Sequence, residues 1–530
     1  MTSVAVAATP PGEPSDLGGI PPDVYARRHR ILAVLCLSLV LMVAANSSLN
    51  VALPTLVREL GATQTQLQWV VDAYALVFAG LLLPAGAIGD RWGRKGALQF
   101  GLVVFAIMAV VAASADSAVF VIIARAGMGV GAAFVMPSTL SLLTSVFPPH
   151  ERARAIAVWA GFAGAGGAIG ILTSGLLLQR YWWGSVFFVN VPIVVLALVA
   201  GAMVVPTSKD RQQRPLDPVG AGLSMLGMGA TLFGIIQGPE SGWTSVGVLA
   251  GFVIGAAGLA TFALWEQRVE HPMLELRWFR DRRFSIGAST IALAFFAMFG
   301  LFFMLTQYLQ FVLDYSPLKA GAASLPMAVA MVIVAPRSAG LVEQYGPRRT
   351  VGTGLLVVAV GLLLASTIAV TTPYWQIALF LVLLGAGLGA TTAPSTGQIM
   401  SAMPMDKAGV GSAVNDTTRE VGGAVGVAVL GSIMTSLYRT NVADAIPDAA
   451  PDAAREVALS SIGAAMEVVR QAAAFIPADQ AVAAVQTIKA AFTDAIGTAF
   501  LVAAAATLLN AAIVWRYAPT TASHAEIAGR

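Results

Sequence analysis

Apolar stretches of roughly 20 residues recur along nearly the whole chain, separated by short breaks that hold the charges and turn residues. A helix rises 1.5 Å per residue, so about 20 residues cross the ~30 Å of hydrocarbon in a bilayer. Reading each stretch as one helix predicts fourteen spans, beginning near residues 31, 69, 97, 118, 155, 185, 218, 245, 285, 319, 351, 374, 409 and 491. The first, Ile31 to Leu53, follows Arg27, Arg28, His29 and Arg30. It is too long for a signal peptide and has no small-residue cleavage site, so it reads as a span. The sequence pattern therefore predicts an all-α membrane protein.

The breaks also predict an orientation. Alternate loops carry Arg91, Arg94 and Lys95; Arg152 and Arg154; Lys209, Arg211 and Arg214; Arg268 through Arg283; Arg348 and Arg349; and Lys407. The intervening short loops hold only Arg58, Arg180 and Lys319. Cytoplasmic loops are enriched in Lys and Arg, so both termini are expected in the cytoplasm, which requires an even number of spans. The longest connection, residues 437–490, is Ala-rich, is broken by Pro447, Pro451 and Pro477, and places Val457, Ile462, Met466 and Val469 at helical spacing. It reads as an extracytoplasmic helical hairpin, either a packing lid or a gating element.

Composition agrees with this reading. Of 530 residues, 57% are hydrophobic and 11% charged, against about 25% charged in a soluble domain. A net charge of +3 says little about partners here. The single cysteine, Cys36, excludes an intramolecular disulfide and reads as a small buried hydrophobe.

Two loops resemble each other. Gly86-Ala-Ile-Gly-Asp90-Arg91-Trp-Gly93-Arg94-Lys95 follows span two, and Ala339-Gly-Leu-Val-Glu343-Gln-Tyr-Gly346-Pro-Arg348-Arg349 follows span ten. Asp90 aligns with Glu343 and Gly93 with Gly346. Repeated halves with a site between them are a common transporter plan. The expected organisation is a cytoplasmic tail (1–29), a six-helix bundle (30–206), inserted helices seven and eight with their loops (207–283), a second six-helix bundle containing the hairpin (284–516), and a cytoplasmic tail (517–530).

An ionisable residue inside a span costs a few kcal/mol unless it meets a partner or water, so each needs a reason. Asp72 in span two and Arg125 in span four sit at similar depth. They are expected to pair, either as a structural bridge or as a switch in which Asp72 alternates between a proton, Arg125 and a cationic substrate. Span thirteen holds Asp416, Arg419 and Glu420 within three or four residues, so they share a helix face beside Ser412 and Gly423. Arg337 in span ten is expected at a comparable depth. The four read either as a self-neutralising cluster closing the cytoplasmic side or as a second acidic station. Asn46 and Asn50, one turn apart in span one, either bond across helices or line a cavity. Trp69 and Tyr74 offer aromatic faces for a cation, or serve as interfacial anchors.

The glycines of Gly161-Phe-Ala-Gly-Ala-Gly-Gly-Ala-Ile-Gly170, like those of Gly127-Met-Gly-Val-Gly131, lie within apolar spans with no Gly-Lys-Ser/Thr behind them. Close helix packing explains them, and no phosphate-binding loop exists for ATP to drive the protein. No His-Glu metal motif or Ser/His nucleophile arrangement lies within the spans, so an enzyme is not expected.

Together these segments resemble the major facilitator superfamily, specifically its fourteen-helix drug:proton antiporter branch, over residues 30–516. Gly86 to Lys95 looks like the signature loop between helices two and three, whose acid caps a neighbouring helix. The resemblance implies gating roles for Asp90 and Arg94, to which the loop's Gly86, Arg91 and Gly93, the repeat's Glu343, and Arg337 and Arg419 of the inner cluster are added as gating candidates. Arg125-Ala-Gly-Met-Gly129-Val-Gly-Ala-Ala133 resembles the fourth-helix motif, whose arginine is implicated in proton coupling. Asn50-Val-Ala-Leu-Pro54, Trp69-Val-Val-Asp72-Ala-Tyr74, Trp182-Trp183-Gly-Ser-Val-Phe-Phe-Val-Asn190-Val-Pro192 and Gly411-Ser-Ala-Val-Asn415-Asp416 are similar to branch signatures of actinobacterial quaternary-ammonium and dye exporters. Two departures matter: Ala45 stands where the branch usually carries an aspartate, and Gly170-Ile171 with Ser174-Gly175 replaces Gly-Pro and Gly-Gly.

The resemblance implies proton-driven efflux of amphiphilic drugs or dyes, with a cation favoured, across a bacterial cytoplasmic membrane. Asp72 and Arg125 would couple the proton. Asp72, Asn46, Asn50, Trp69, Tyr74, Asp416 and Glu420 would meet the substrate. No cofactor, metal or nucleic acid is expected, only substrate, protons and lipid, with the chain acting as a monomer. A lipid, self-made antibiotic or other metabolite is the alternative cargo, and a non-transporting membrane sensor is the remote one.

Overall fold

A computed structural model of the chain describes residues 20–60, 64–208, 217–443, 455, 458–459, 461–472 and 477–519. Among them, fourteen helices are long and apolar enough to cross a membrane. They are α1 Pro22–Leu60, α2 Gln64–Trp92, α3 Arg94–Ala113, α4 Ala118–Val146, α5 Pro149–Leu177, α6 Ser185–Val204, α7 Pro218–Ser241, α8 Val246–Glu266, α9 Arg282–Gln307, α10 Leu325–Tyr345, α11 Pro347–Ala365, α12 Tyr374–Ser401, α13 Ala408–Ala443 and α14 Ala478–Tyr517. Large apolar side chains such as Val246, Met203 and Val253 are exposed on the outer surface, as a lipid-facing protein requires.

Two expected boundaries move. Helix α1 begins at Pro22, so Arg27 to Arg30 belong to it rather than to a tail. The Arg28 guanidinium grips Glu151 at the start of α5, with Nε to Oε2 at 2.7 Å, and the Tyr25 hydroxyl donates to the same carboxylate at 3.1 Å. Among the described residues of the 437–490 connection, α13 and α14 each extend into it and a short helix between them packs on α14. Helix α13 runs on to Ala443, α14 starts at Ala478, and between them Ile462–Ala472 forms a short helix whose Ile462 and Ala465 are buried. Lys209, Arg211, Arg214, Pro447, Pro451 and Val457, most of the N-terminal tail and residues 520–530 lie outside the described residues.

Packing follows from what a bilayer withholds. Lipid tails are as apolar as leucine, so helices associate through close backbone approach at small residues. A methyl group on Gly170 would lie 2.2 Å from the Ala44 carbonyl oxygen, so α5 and α1 touch backbone to backbone. Gly422 and Gly426 of α13 meet the Ala292 and Phe296 carbonyls of α9 in the same way, each at 2.2 Å. Gly101 and Gly131 face each other between α3 and α4, as Gly354 and Gly387 do between α11 and α12. Gly129 meets the Tyr74 carbonyl, and Gly385 meets that of Met327.

These matched contacts establish the repeat: the pairings of α1–α6 recur eight helices later in α9–α14. Across the two bundles, α2 packs on α13 and α5 on α10. Gly161, Gly164 and Gly175 lie along α5 against Val332, Met331 and Leu318, so its glycine run serves two packing faces. The inserted pair α7–α8 is the least buried of the fourteen and lies against the α2–α13 seam. There Leu232 and Ile235 pack with Ala79 and Ala428, and Trp69 stacks on Phe233 with centroids 6.3 Å apart.

The Gly101–Gly131 contact makes a direct prediction. Gly131→Val should lower the apparent melting temperature of the detergent-purified protein, because overpacking a tight contact costs about 1–3 kcal/mol or more. Gly96→Ala, on an open surface of α3 with nothing nearby to meet, should leave it unchanged or slightly raised.

Candidate functional site

The best-defined polar assembly sits at the end of the protein that carries the basic loops. At Gly93 the chain adopts φ 121°, a conformation suited to glycine, and so breaks cleanly between α2 and α3. The break turns Asp90 and Arg94 inward, where they are 5% and 3% exposed. Gly86, one turn earlier, lets α2 approach α13 so closely that a methyl group there would lie 2.6 Å from the Gly409 carbonyl oxygen.

Asp90 then caps α13. Its carboxylate accepts from Gly409 N at 2.8 and 2.9 Å, from Val410 N at 3.1 Å and from Arg94 Nε at 2.8 Å. The first N–H groups of a helix have no partner within it, and a carboxylate there also meets the positive end of the helix dipole. Arg94 extends the hold, donating Nη2 to the Met405 carbonyl at 2.7 Å and Nη1 to Ser208 Oγ at 3.1 Å. The loop between α12 and α13 is thus locked to the opposite bundle.

Other sequence-predicted gating residues stand apart. Arg91 is half-buried beside this latch without joining it, and Glu343 is exposed. Gly346 repeats the glycine break with φ 81°, but the nearby Arg348 donates to the Ala518 carbonyl at 2.7 Å instead of building a second cap. The latch therefore belongs to one half of the repeat.

The expected Asp72–Arg125 bridge does not form. Arg125 is fully buried and donates Nε to the Val70 carbonyl at 3.0 Å and Nη2 to Asn46 Oδ1 at 2.9 Å. Its guanidinium lies 4.3 Å from the centre of the Tyr74 ring. Val70, Tyr74 and Phe78 form the buried face that α2 turns to α4, whereas Asp72 is two residues from the first two. Two residues are about 200° of helix rotation, so equal depth did not mean a shared face. Tyr74 is also only 5% exposed, and its ring face holds Arg125 rather than standing open to a cation. Asn46 is itself exposed. The Asn50 side chain lies outside the described residues.

On α13, Asp416 and Arg419 pair at 3.4 Å. Arg419 also lies between rings of both bundles, 4.6 Å from Phe295 and 5.5 Å from Trp159, while Trp159 Nε1 donates to Thr139 Oγ1. Glu420 is in electrostatic reach of Tyr74 across the α2–α13 seam and of both Asp416 and Arg419. Arg125 and Tyr74 thus neighbour the Asp416, Arg419 and Glu420 group across the seam, while Asp72 lies off the face that holds Arg125. Arg337 is not part of that group. Its Nη1 bonds the Ile333 carbonyl of its own helix at 2.5 Å, and it is exposed. Ala335 is the residue that α10 turns to α5 at Gly161, and Arg337, two positions on, points elsewhere.

Sequence reading missed the second grip on the latch. Lys407, noted only as a loop charge, is buried and donates Nζ to the Pro272 carbonyl at 2.7 Å, with Trp278 beneath it at 5.9 Å. A lone loop lysine carries no signal for such a contact.

Residues 35–427 match the sequence model of the Major Facilitator Superfamily. The chain belongs to that superfamily. It is 36% identical to the multidrug efflux pump LfrA of Mycolicibacterium smegmatis, over 91% of this chain and 95% of that one. It is 34% identical to the tetracenomycin C resistance and export protein of Streptomyces glaucescens, over 74% of this chain and 73% of that one. The human organic anion transporter MFSD10 (TETRAN) shares the fold, with a TM-score of 0.62 at 14% identity, over 93% of this chain and all of that one. The protein is therefore a multi-pass membrane transporter of this superfamily.

The latch can be tested chemically. Losing a charge-assisted hydrogen bond removes about 1.5–3 kcal/mol, so Asp90→Asn should raise transient opening about tenfold or more. With Cys36→Ser as background, a cysteine replacing the fully buried Ala413 reports that opening. Thiol labelling there should be correspondingly faster in Asp90→Asn, and equal rates would exclude a holding role for the latch.

Proposed function

We propose that the protein is a proton-driven antiporter that exports amphiphilic drugs or dyes, with a cation favoured, across a bacterial cytoplasmic membrane. The observation that carries this reading is the likeness to a multidrug efflux pump along nearly the whole of both chains. The charges support the orientation: Arg91, Arg94 and Lys95, Arg348 and Arg349, and Lys407 lie in loops of one side, which the positive-inside rule assigns to the cytoplasm together with both termini.

The proposed exchange needs a carboxylate that holds either a proton or the charge of the cargo, never both. Asp72 on α2 is the first such group, with Asp416 and Glu420 on α13 as the second station. The Asp416–Arg419 pair and the reach of Glu420 to Tyr74 support a site divided between the bundles. Arg125, buried against Tyr74 and Asn46, supplies the fixed positive charge that favours proton release from nearby acids. With Ala45 where an acid is usual, the acids of α2 and α13 carry the exchange between them.

A specialised antibiotic cargo is the second reading, favoured by the likeness to the tetracenomycin C exporter. Export assays with ethidium and with that antibiotic separate the two.

Everted vesicles with an imposed pH gradient test the coupling. Asp72→Asn should slow ethidium transport by about tenfold or more, the loss expected when one charged partner is removed. Wild-type rates in that variant would remove Asp72 from the mechanism. Asp416→Asn and Glu420→Gln should change substrate range or coupling, and unchanged profiles in both would reduce them to packing residues.

A further inference from the structure

The inserted pair α7–α8 carries an acidic site that the exchange above does not use. Asp217 caps α7, accepting from Gly220 N at 2.8 Å through Oδ1, while its Oδ2 accepts from Trp265 Nε1 at 2.7 Å. Glu266 closes α8 and is 5% exposed. Its Oε2 accepts from Leu274 N at 3.1 Å, whereas Oε1 is buried without a hydrogen-bond partner. A methyl group on Gly220 would lie 2.4 Å from Asp217 Oδ2 and 2.8 Å from Glu266 Oε1, so both oxygens converge on one point beside that glycine.

Two carboxylates converging where one of them is buried repel when both are ionised, and a proton between them relieves the repulsion. A buried acceptor with nothing to accept is costly in the same way. We infer that Asp217 and Glu266 form a proton-binding site at the base of the inserted helices, reached from the end that carries the basic loops. A proton from water adds to Glu266 Oε1, which then has an O–H to donate toward the Asp217 carboxylate. The other charged group acting on Glu266 is Lys407 at the start of α13, and the linker after α8 contributes the Leu274 and Met273 N–H groups.

Those neighbours connect the site to the latch. Lys407 donates to Pro272, on the linker whose next residues bond Glu266, and it stands two residues before Gly409, which Asp90 caps. Protonation removes the negative charge that attracts Lys407 and weakens the bonds that fix the linker. Loading this site with a proton therefore loosens the second grip on the α12–α13 loop. The inserted helices thereby act as a proton-sensitive brace rather than as spacers.

The test reads the proton directly and does not depend on transport. In pH-difference infrared spectra of the purified full-length protein, acidification should produce a carboxylic-acid C=O band that is lost in Glu266→Gln. Glu266→Asp should retain a band, which guards against a trivial folding defect. The transport-impaired Asp72→Asn variant should retain the component of the band that Glu266→Gln removes, which separates this inference from the exchange mechanism. Identical spectra in wild type and Glu266→Gln would overturn the proposal.

Discussion

Hydrocarbon gives its helices no hydrophobic reason to associate, so this fold depends on how closely their backbones can approach. The glycines answer that constraint. Gly166 and Gly170 set α5 against α1, Gly422 and Gly426 set α13 against α9, and the Gly101–Gly131 contact recurs as Gly354–Gly387. Side chains larger than hydrogen at these points would push the helices apart. Close approach holds each bundle together, and Gly86 with Gly409 brings the same closeness to the α2–α13 seam between the bundles.

The glycine lattice is duplicated, but the charges within the spans are not. In the register fixed by Gly129 with Gly385 and Gly166 with Gly422, Arg125 falls opposite Leu381, and Asp416 and Glu420 fall opposite Ala160 and Gly164. Asp72 falls opposite Leu325 by the matching contacts at Tyr74 and Met327. Packing has kept both copies alike because both must solve the same problem. Arg125 with Tyr74 and the Asp416, Arg419 and Glu420 group meet at one seam, α2 against α13, and so does the latch. The inserted helices lie against that same seam, which concentrates charge, closure and the brace along one line of the molecule.

Hydropathy made the spans legible because a bilayer imposes one length on all of them, and the Gly86–Lys95 loop pointed to the latch because glycine and a cap-forming acid have few other uses together. What the sequence left hidden was direction around a helix. Asp72 and Arg125 share a depth but not a face, and Arg337 turns away from α5 for the same reason. Contacts between distant loops were equally hidden: nothing local to Lys407 announces Pro272, and nothing local to Glu266 announces Asp217. The 437–490 connection was legible as helical from its alanines and apolar spacing, but how far α13 and α14 reach into it was not.

The Asp90 cap on α13 holds the two bundles together at the end bearing the basic loops. Pulsed electron resonance between spin labels at the exposed Ala153 of α5 and Gln344 of α10 reads that separation directly. With the cap in place, one short distance should be the main population of the wild-type protein without cargo, and a longer population should grow in Asp90→Asn. The same distance distribution in both proteins would contradict it.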